Sequence, residues 1–156
     1  MDQKLLQAIN VGFYNAKEKF HKQETISNQL ISTIFVHEVS KSIHQTIFDA
    51  EHALKTIEVD DYFVKKPGEW LLDCCIVKTK NSFIQKIAFA LESESNTSKK
   101  SFDEDFAKIL HINSDVKLYL NGLNQTTTGG INKYIAGRLE YAELILKSNA
   151  YETNNF

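Results

Sequence analysis

Residues 70–94 read WLLDCCIVKTKNSFIQKIAFALESE, and this stretch decides the predicted fold. Two mainly apolar runs, Trp70–Val77 and Phe83–Glu94, flank a short polar connection at residues 78–82. Runs of this kind, rich in branched and aromatic side chains and bounded by polar residues, are typical of β-strands. The short connection predicts that the two strands pair as a hairpin.

The flanking sequence surrounds this hairpin with helices. Apolar residues at helical spacing, clearest in the four-residue steps of Phe35, Val39, Ile43 and Ile47, give the helix assignments. In chain order we predict helices over 1–20 and 28–55, strands over 57–64, 70–77 and 83–94, a helix over 101–111, a strand over 115–121 and a helix over 131–148. Three strands, a helix and then a strand predict an α/β fold with a mixed β-sheet flanked by helices.

Local signals locate the helix starts and the domain limits. Ser27 or Thr25 is the expected cap of the second helix, and Ser101-Phe102-Asp103-Glu104 fits a capping box. The chain is predicted to be one domain over 1–156, with a core at 28–148 and the segment 1–24 as an N-terminal helical appendage. In the last helix the predicted inward stripe is Ile131, Ile135, Leu139, Ala142 and Leu146.

Length and composition exclude several classes of protein. A chain of 156 residues with 42% apolar residues can bury a core without disulfides, and it is neither disordered nor fibrous in composition. The 18 basic and 20 acidic residues give a net charge of −2. Because there is no polybasic tail, contact with nucleic acid would have to come from a local patch.

The adjacent cysteines Cys74 and Cys75 bear on the compartment. A vicinal pair is neither a disulfide framework nor a C-x-x-C metal or redox site. We predict buried strand thiols in a reducing compartment. There is no apolar segment of membrane-spanning length, and the first twenty residues are an amphipathic mixture rather than a signal peptide. The expected location is the cytoplasm, with no membrane partner.

The position of the acids is the most informative chemical feature. Asp73 is the only charge in its apolar run, and Glu92 and Glu94 end the next run on the face that also carries Ala90. If the strands pair, Asp73 and Glu92 converge on the sheet. A buried carboxylate without a partner costs several kcal/mol, and a hard divalent cation, Mg²⁺ or Mn²⁺, suits oxygen ligands. Taken singly, these residues also fit a salt-bridged core acid and solvated acids at a strand end.

This combination resembles the PD-(D/E)xK nuclease superfamily, which has the restriction-endonuclease-like fold. The family core is a helix, three strands, a helix and a strand. The resemblance implies metal binding by Asp73 on the second core strand and Glu92 on the third. It places Glu94 where the motif lysine is usual. It also covers residues 105–110, DFAKIL, which are similar to a D-F-x-K-L stretch after the third strand, and residues 115–120 as the fourth strand.

The departures from the family pattern concern the missing lysine. Glu94 leaves the attacking water without the usual positive neighbour, although some restriction enzymes of this fold carry Glu there. The proline closest before Asp73 is Pro67, six residues earlier. Several lysines are candidates to supply the charge instead: Lys86, Lys99, Lys100 and Lys108.

Residues on the long second helix are the remaining candidates. The resemblance implies a helical glutamate near the metal, and Glu38 lies at the edge of the apolar stripe. A solvated helix acid explains Glu38 equally well. His37, His44 and His52 are better explained as a polar flank than as metal ligands.

Three functions follow as hypotheses. The first is a Mg²⁺- or Mn²⁺-dependent DNA endonuclease or related phosphodiesterase. It would use Asp73 and Glu92 as metal ligands, Glu94 as base or second-metal ligand, and the polar loop 122–130 for DNA contacts. Cutting both strands would require a homodimer. The second is a nuclease-like fold that serves as a binding or assembly subunit, and the third is an α/β interaction module with coincidental acids. The lysines expected to contact phosphates are Lys78, Lys80, Lys99, Lys100, Lys108 and Lys133.

Overall fold

A computed structural model describes residues 3–21, 27–56, 58–60, 63–66 and 72–153, with the side chains of 29, 56, 58–60, 63–66 and 150–153 left aside. The described elements are, in chain order, α1 (Gln3–Phe20), α2 (Asn28–Ile47), β1 (His52–Thr56), β2 (Glu58–Asp60), β3 (Phe63–Lys66), β4 (Cys74–Lys80), β5 (Phe83–Glu94), α3 (Lys99–His111), β6 (Ser114–Asn121) and α4 (Thr128–Thr153).

The central feature is a four-stranded mixed sheet with strand order β1-β4-β5-β6. β4 is antiparallel to both β1 and β5, and β6 is parallel to β5. The helix α3 makes the crossover that a parallel pair of strands requires. The strands β2 and β3 pair with each other as a separate two-stranded sheet. The prediction of an α/β fold with a mixed sheet flanked by helices is therefore confirmed at this level.

Side chains alternate across the sheet, so β4 and β5 supply a core on each face. The face covered by α1 and α2 carries Cys74, Ile76, Phe89 and Leu91. The face covered by α3 carries Cys75, Val77 and Ala90. Both cysteines are free thiols and fully buried, as predicted.

The second helix is shorter than predicted, because it ends at Ile47 rather than at residue 55. Phe48 takes an extended conformation, and Asp49 Oδ1 then accepts hydrogen bonds from the Glu51 amide and the His52 ring. A short aspartate side chain that bonds its own backbone favours a turn over a helix. The first core strand is consequently His52–Thr56. The predicted single strand 57–64 is wrong, because its described residues belong to the antiparallel pair β2 and β3; residues 57, 61 and 62 lie outside the described residues.

The hairpin agrees with the sequence, with two corrections at its ends. β4 runs on to Lys80, and the turn consists of Asn81 and Ser82, both at positive φ. Two such residues form the tight turn whose twist matches paired strands. At the other end β4 begins at Cys74, so Asp73 lies just before the strand instead of within it. Trp70 and Leu71 lie outside the described residues.

The starts of α2 and α3 are both set by serine caps. Ser27 caps α2 by accepting the Leu30 amide, which confirms one of the two predicted alternatives. For α3 the predicted capping box at residues 101–104 is wrong. Ser98 is the cap, and its hydroxyl oxygen accepts the Ser101 amide. Because Ser98 rather than Ser101 is the cap, α3 begins about one turn earlier than predicted.

The first helix is a core element rather than an appendage. Ala8 and Ile9 join the buried cluster on the sheet, and Ala16 is fully buried. A Cβ at Gly12 would lie 2.4 Å from Cα of Val39, so α1 and α2 are in close backbone contact there. Small residues therefore set the buried face of α1, whereas Phe13 is 36% exposed and packs against the Phe35 ring of α2 at a centroid distance of 5.1 Å.

The contacts within the chain divide it into two compact units, Met1–Asn121 and Gly122–Phe156, where the sequence predicts one domain. The second unit contains α4, which begins at Thr128. Of its predicted inward stripe, Ile131 and Ala142 are half-buried, but three residues are exposed. Those three are Ile135, Leu139 and Leu146. Among the described helices, none is long and apolar enough to cross a membrane.

Candidate acid–lysine site

The register between β4 and β5 brings Asp73 beside Glu92. Cys74 is paired with Leu91, so the next residue on each side of that pair is Asp73 and Glu92. Asp73 Oδ2 accepts a hydrogen bond of 2.7 Å from the amide of Ser93. The convergence that the sequence predicts for these two acids is therefore present, although the aspartate reaches it from a bend rather than from a strand.

Glu92 is a buried carboxylate. The residue is 2% exposed and lies on the α3 face of the sheet, next to Ala90. Burial, helped by the negative charges of Asp73 and Asp105, raises the pKa of Glu92 from 4.5 to about 7 against the opposing effect of Lys108. A carboxyl group with a pKa near neutrality can exchange protons at physiological pH.

Lys108 on α3 supplies the positive charge of the site. Its Nζ lies 2.9 Å from Glu92 Oε1 and 3.2 Å from Asp105 Oδ1. Burial alone would lower the pKa of Lys108, but the hydrogen bonds and charges of Glu92 and Asp105 outweigh burial and raise it. Lys108 is among the lysines that the sequence leaves as candidates, and it contacts the predicted metal ligand Glu92. Asp105 and Lys108 are three residues apart on one helix, which is the spacing of facing side chains.

Aromatic residues close the other side of Glu92. Tyr119 of β6 is its register partner in the parallel pair. The Tyr119 ring packs edge-on against Phe102 and Phe106 of α3, at centroid distances of 5.2 and 5.5 Å. Phe106 and Tyr119 pack on the same face of the sheet as Glu92, where burial raises the pKa of a carboxyl group. Sequence reasoning did not single out Tyr119 or Asp105 as parts of the site.

Glu94 has a local contact that the sequence did not predict. Its Oε1 accepts a 2.6 Å hydrogen bond from the Asn96 amide, and Asn96 Oδ1 accepts the amide of Ser98, the cap of α3. Glu94 is half-buried and lies two residues beyond Glu92 on the same strand. Its side chain therefore helps to build the connection between β5 and α3.

Glu38 belongs to a different part of the molecule. It is buried on α2 and forms an ion pair of 2.7 Å with Lys19 of α1, with the His37 ring at 3.9 Å. The helix α2 packs on the sheet face opposite to that of Ala90 and Cys75. Glu38 is thus neither a solvated helix acid nor a neighbour of Glu92 in this structure; it pairs the two N-terminal helices.

Within the first unit, the predicted phosphate-contacting lysines lie on two different elements, β4 and α3. Lys78 is paired with Glu51, and Lys100 with Glu104 on α3. Lys80 lies at the end of β4 that is remote from Asp73. Lys99 is on the first turn of α3, and Lys133 is on α4 in the second unit.

The histidines are used in the connection between α2 and β1. The His44 ring contacts the His52 carbonyl oxygen at 2.7 Å, and the His52 ring contacts Asp49 at the same distance. These contacts agree with the structural interpretation of the histidines. Within the described ranges, no group of three or more His, Cys, Asp or Glu side chains is placed to hold a metal ion.

Comparison with known proteins adds no assignment: no family model, no curated protein and no solved structure matches the chain. The function is therefore inferred from the fold class and the geometry of the site.

Proposed function

We propose that the chain is a Mg²⁺- or Mn²⁺-dependent DNA endonuclease, or a related phosphodiesterase, of the PD-(D/E)xK type. The observation that carries the proposal is the buried Glu92, with Asp73 as its neighbour in register and the Lys108 ammonium 2.9 Å away. Two acids and a lysine are the residue types that the family motif requires.

The order of elements supports the proposal. The segment from α2 to β6 contains a helix, the sheet strands β1, β4 and β5, a helix and a last strand, with the pair β2–β3 inserted. Without the inserted pair, this order equals the family core. Asp73 then precedes the second core strand and Glu92 lies on the third.

A metal ion fits these residues. Mg²⁺ in phosphate chemistry is commonly held by one or two carboxylates, with waters and substrate oxygens as its other ligands. Asp73 and Glu92 provide those two carboxylates, and neutralising a buried acid offsets its desolvation. When bound, the ion would polarise the scissile phosphate and lower the pKa of a bound water.

The protein's own residues have separable tasks in this proposal. Asp73 and Glu92 would hold the cation. Lys108 keeps the Glu92 carboxylate oriented and adds positive charge where the phosphate gains negative charge. Glu94, on the same strand as Glu92, accepts the proton of the attacking water.

The decisive experiment measures metal binding and DNA cleavage together. Calorimetry with Mn²⁺ and cleavage of plasmid and single-stranded DNA should both lose their signal in Asp73→Ala and Glu92→Gln. Glu104→Gln, an exposed acid on α3, is the matched control and should behave as the wild type. Equal metal affinity in Asp73→Ala and the wild type would remove Asp73 from the site.

The alternative is a nuclease-like subunit that binds or assembles without cleaving. One observation favours it: Lys108 already contacts both Glu92 and Asp105, so the protein itself supplies a cation to the buried acid. If the wild type never cleaves DNA in Mg²⁺ or Mn²⁺ while Glu94→Lys does, this alternative holds and the first proposal fails.

A further inference from the structure

The hairpin formed by β4 and β5 extends beyond its neighbours in the sheet. The pairing of β1 with β4 ends at Lys78, and the pairing of β6 with β5 begins at Ile87. Between these points the two strands pair only with each other, through Thr79–Ile84 and Lys80–Phe83. Residues 80–86, here named the hairpin tip, are all exposed.

The chemistry of this tip is unusual for a solvent-facing turn. Phe83, at 77%, is the most exposed large apolar side chain among the residues that the structure describes, and Ile84 beside it is 43% exposed. The other residues of the tip itself are Lys80, Asn81, Ser82, Gln85 and Lys86. Residues 74–91 contain Lys78, Lys80 and Lys86 but no acidic residue, in a chain whose net charge is −2.

Two of these lysines have partners at the base of the hairpin. Lys78 is paired with Glu51 and Lys86 with Asp115. Lys80, next to the turn, forms no ion pair with any residue that the structure describes. A cation and an exposed aromatic ring are therefore cross-strand neighbours at the end of a two-stranded ribbon.

From this pairing we infer that the hairpin tip is a second contact site for the DNA substrate of the proposed nuclease, with Phe83 stacking on an unpaired base and Lys80 holding the adjacent phosphate. Exposed aromatic rings beside cations are the usual platform for single-stranded nucleic acid, since every base has a face on which to stack. The inference rests on the proposed function and specifies its substrate class.

Single-stranded DNA, rather than plain duplex, follows from the size of the site. The free energy needed to unstack one base step of a duplex is about as large as the free energy gained when one base stacks on an aromatic ring. Proteins that insert a side chain between base pairs offset this cost because the bent duplex contacts more of the protein surface. One ring and one unpaired lysine offer no such surface. Phe83 and Glu92 are nine residues apart on β5, or about 30 Å at 3.3 Å per residue, so the two contacts would lie on separate parts of one DNA molecule.

The test is fluorescence anisotropy with a labelled 30-nucleotide single strand and its duplex, in EDTA, so that no cleavage is required. The wild type should bind the single strand more tightly. Phe83→Ala should weaken that binding by about 5- to 150-fold, whereas Phe83→Tyr, which keeps a stacking ring, should stay within about twofold. Lys80→Ala should reduce the slope of log affinity against log salt by about 0.7.

Matched controls are Tyr14→Ala, which removes another exposed ring, and Lys41→Ala, which removes another exposed cation. Both should bind as the wild type does. The inference is overturned if Phe83→Ala binds the single strand as tightly as Tyr14→Ala does, or if the wild type binds the duplex more tightly than the single strand. The proposed function is tested separately, by metal-dependent cleavage. If the wild type cleaves DNA but Phe83→Ala does not weaken the binding of single-stranded DNA, only the inference fails.

Discussion

Lys108 Nζ lies 2.9 Å from Glu92 Oε1, and the two residues come from different elements, the helix α3 and the strand β5. The family motif has its lysine two residues after the acid on the same strand. In this chain Glu94 occupies that strand position, and Lys108 contacts Glu92 from the helix α3. The positive charge of the site is therefore supplied through tertiary structure.

Lys108→Met tests the contribution of that charge. Without the ammonium, Glu92 faces only burial and the charges of Asp73 and Asp105, all of which raise its pKa. Protons then compete better with the metal at neutral pH. We expect metal-dependent cleavage to fall by roughly 10² to 10⁴, the scale of a lost electrostatic or acid–base group.

The control for Lys108→Met is Lys100→Met, which removes an exposed lysine from the same helix. The Lys100 side chain is 85% exposed and its pair with Glu104 is loose, at 3.8 Å. Surface pairs of this type contribute little. Equal rates in the two variants would mean that Lys108 has no role in cleavage.

Glu92 should also make the stability of the metal-free protein depend on pH. Its pKa is raised from 4.5 to about 7 by burial, so the folded state holds a proton that the unfolded state releases in this window. The free energy of unfolding therefore decreases as the pH rises from about 4.5 to about 7. At 1.36 kcal/mol per pKa unit, the full effect is roughly 3 kcal/mol.

Urea denaturation in EDTA at several pH values measures this effect. Glu92→Gln removes the titrating group, so its stability relative to the wild type should increase by roughly 3 kcal/mol between about pH 4 and pH 8. Glu104→Gln should show no such pH-dependent difference. A constant offset between Glu92→Gln and the wild type would contradict the raised pKa.

Gly12→Ala should destabilise the protein even though alanine is the better helix former. The added Cβ would lie 2.4 Å from Cα and 2.8 Å from N of Val39, which are backbone atoms that cannot rotate away. Overpacking typically costs about 1–3 kcal/mol, more than the gain of about 1 kcal/mol in helix propensity. Gly137→Ala on α4 meets nothing within 4 Å and should be neutral or stabilising. Thermal melts of both variants give the comparison.

The hairpin and the pairing of Asp73 with Glu92 were predictable because they depend on short-range pattern. Apolar runs, a short polar connection and strand alternation indicate that the two acids converge, whereas the two-residue turn that sets the register was seen only in the structure. The end of α2 was not predicted, although its cause is also local. Asp49 Oδ1 accepts the Glu51 amide and so favours a turn, whereas helical spacing of apolar residues continues to Leu54 and indicates a longer helix.

The choice of Lys108 was not available from the sequence. Lys99, Lys100 and Lys108 lie on the same helix, and which one reaches Glu92 depends on how α3 packs on the sheet through Ile109. The pairing of Glu38 with Lys19 depended likewise on α1 packing closely at Gly12. Contacts between side chains on different elements, even consecutive ones, require the packed structure.

Glu94→Gln separates a chemical role of Glu94 from its structural one. In the structure Glu94 Oε1 accepts the Asn96 amide at 2.6 Å, and the amide oxygen of glutamine can accept the same hydrogen bond. The connection into α3 should therefore be kept, and the melting temperature should remain within about 2 °C of the wild type. The glutamine cannot take a proton from water, so cleavage should fall by roughly 10² to 10⁴ while binding of the first metal survives. Glu94→Ala, which also loses the contact with Asn96, should lower both the rate and the melting temperature. A Glu94→Gln protein that cleaves at the wild-type rate would restrict Glu94 to the turn and leave the base to be sought among the other groups around Glu92.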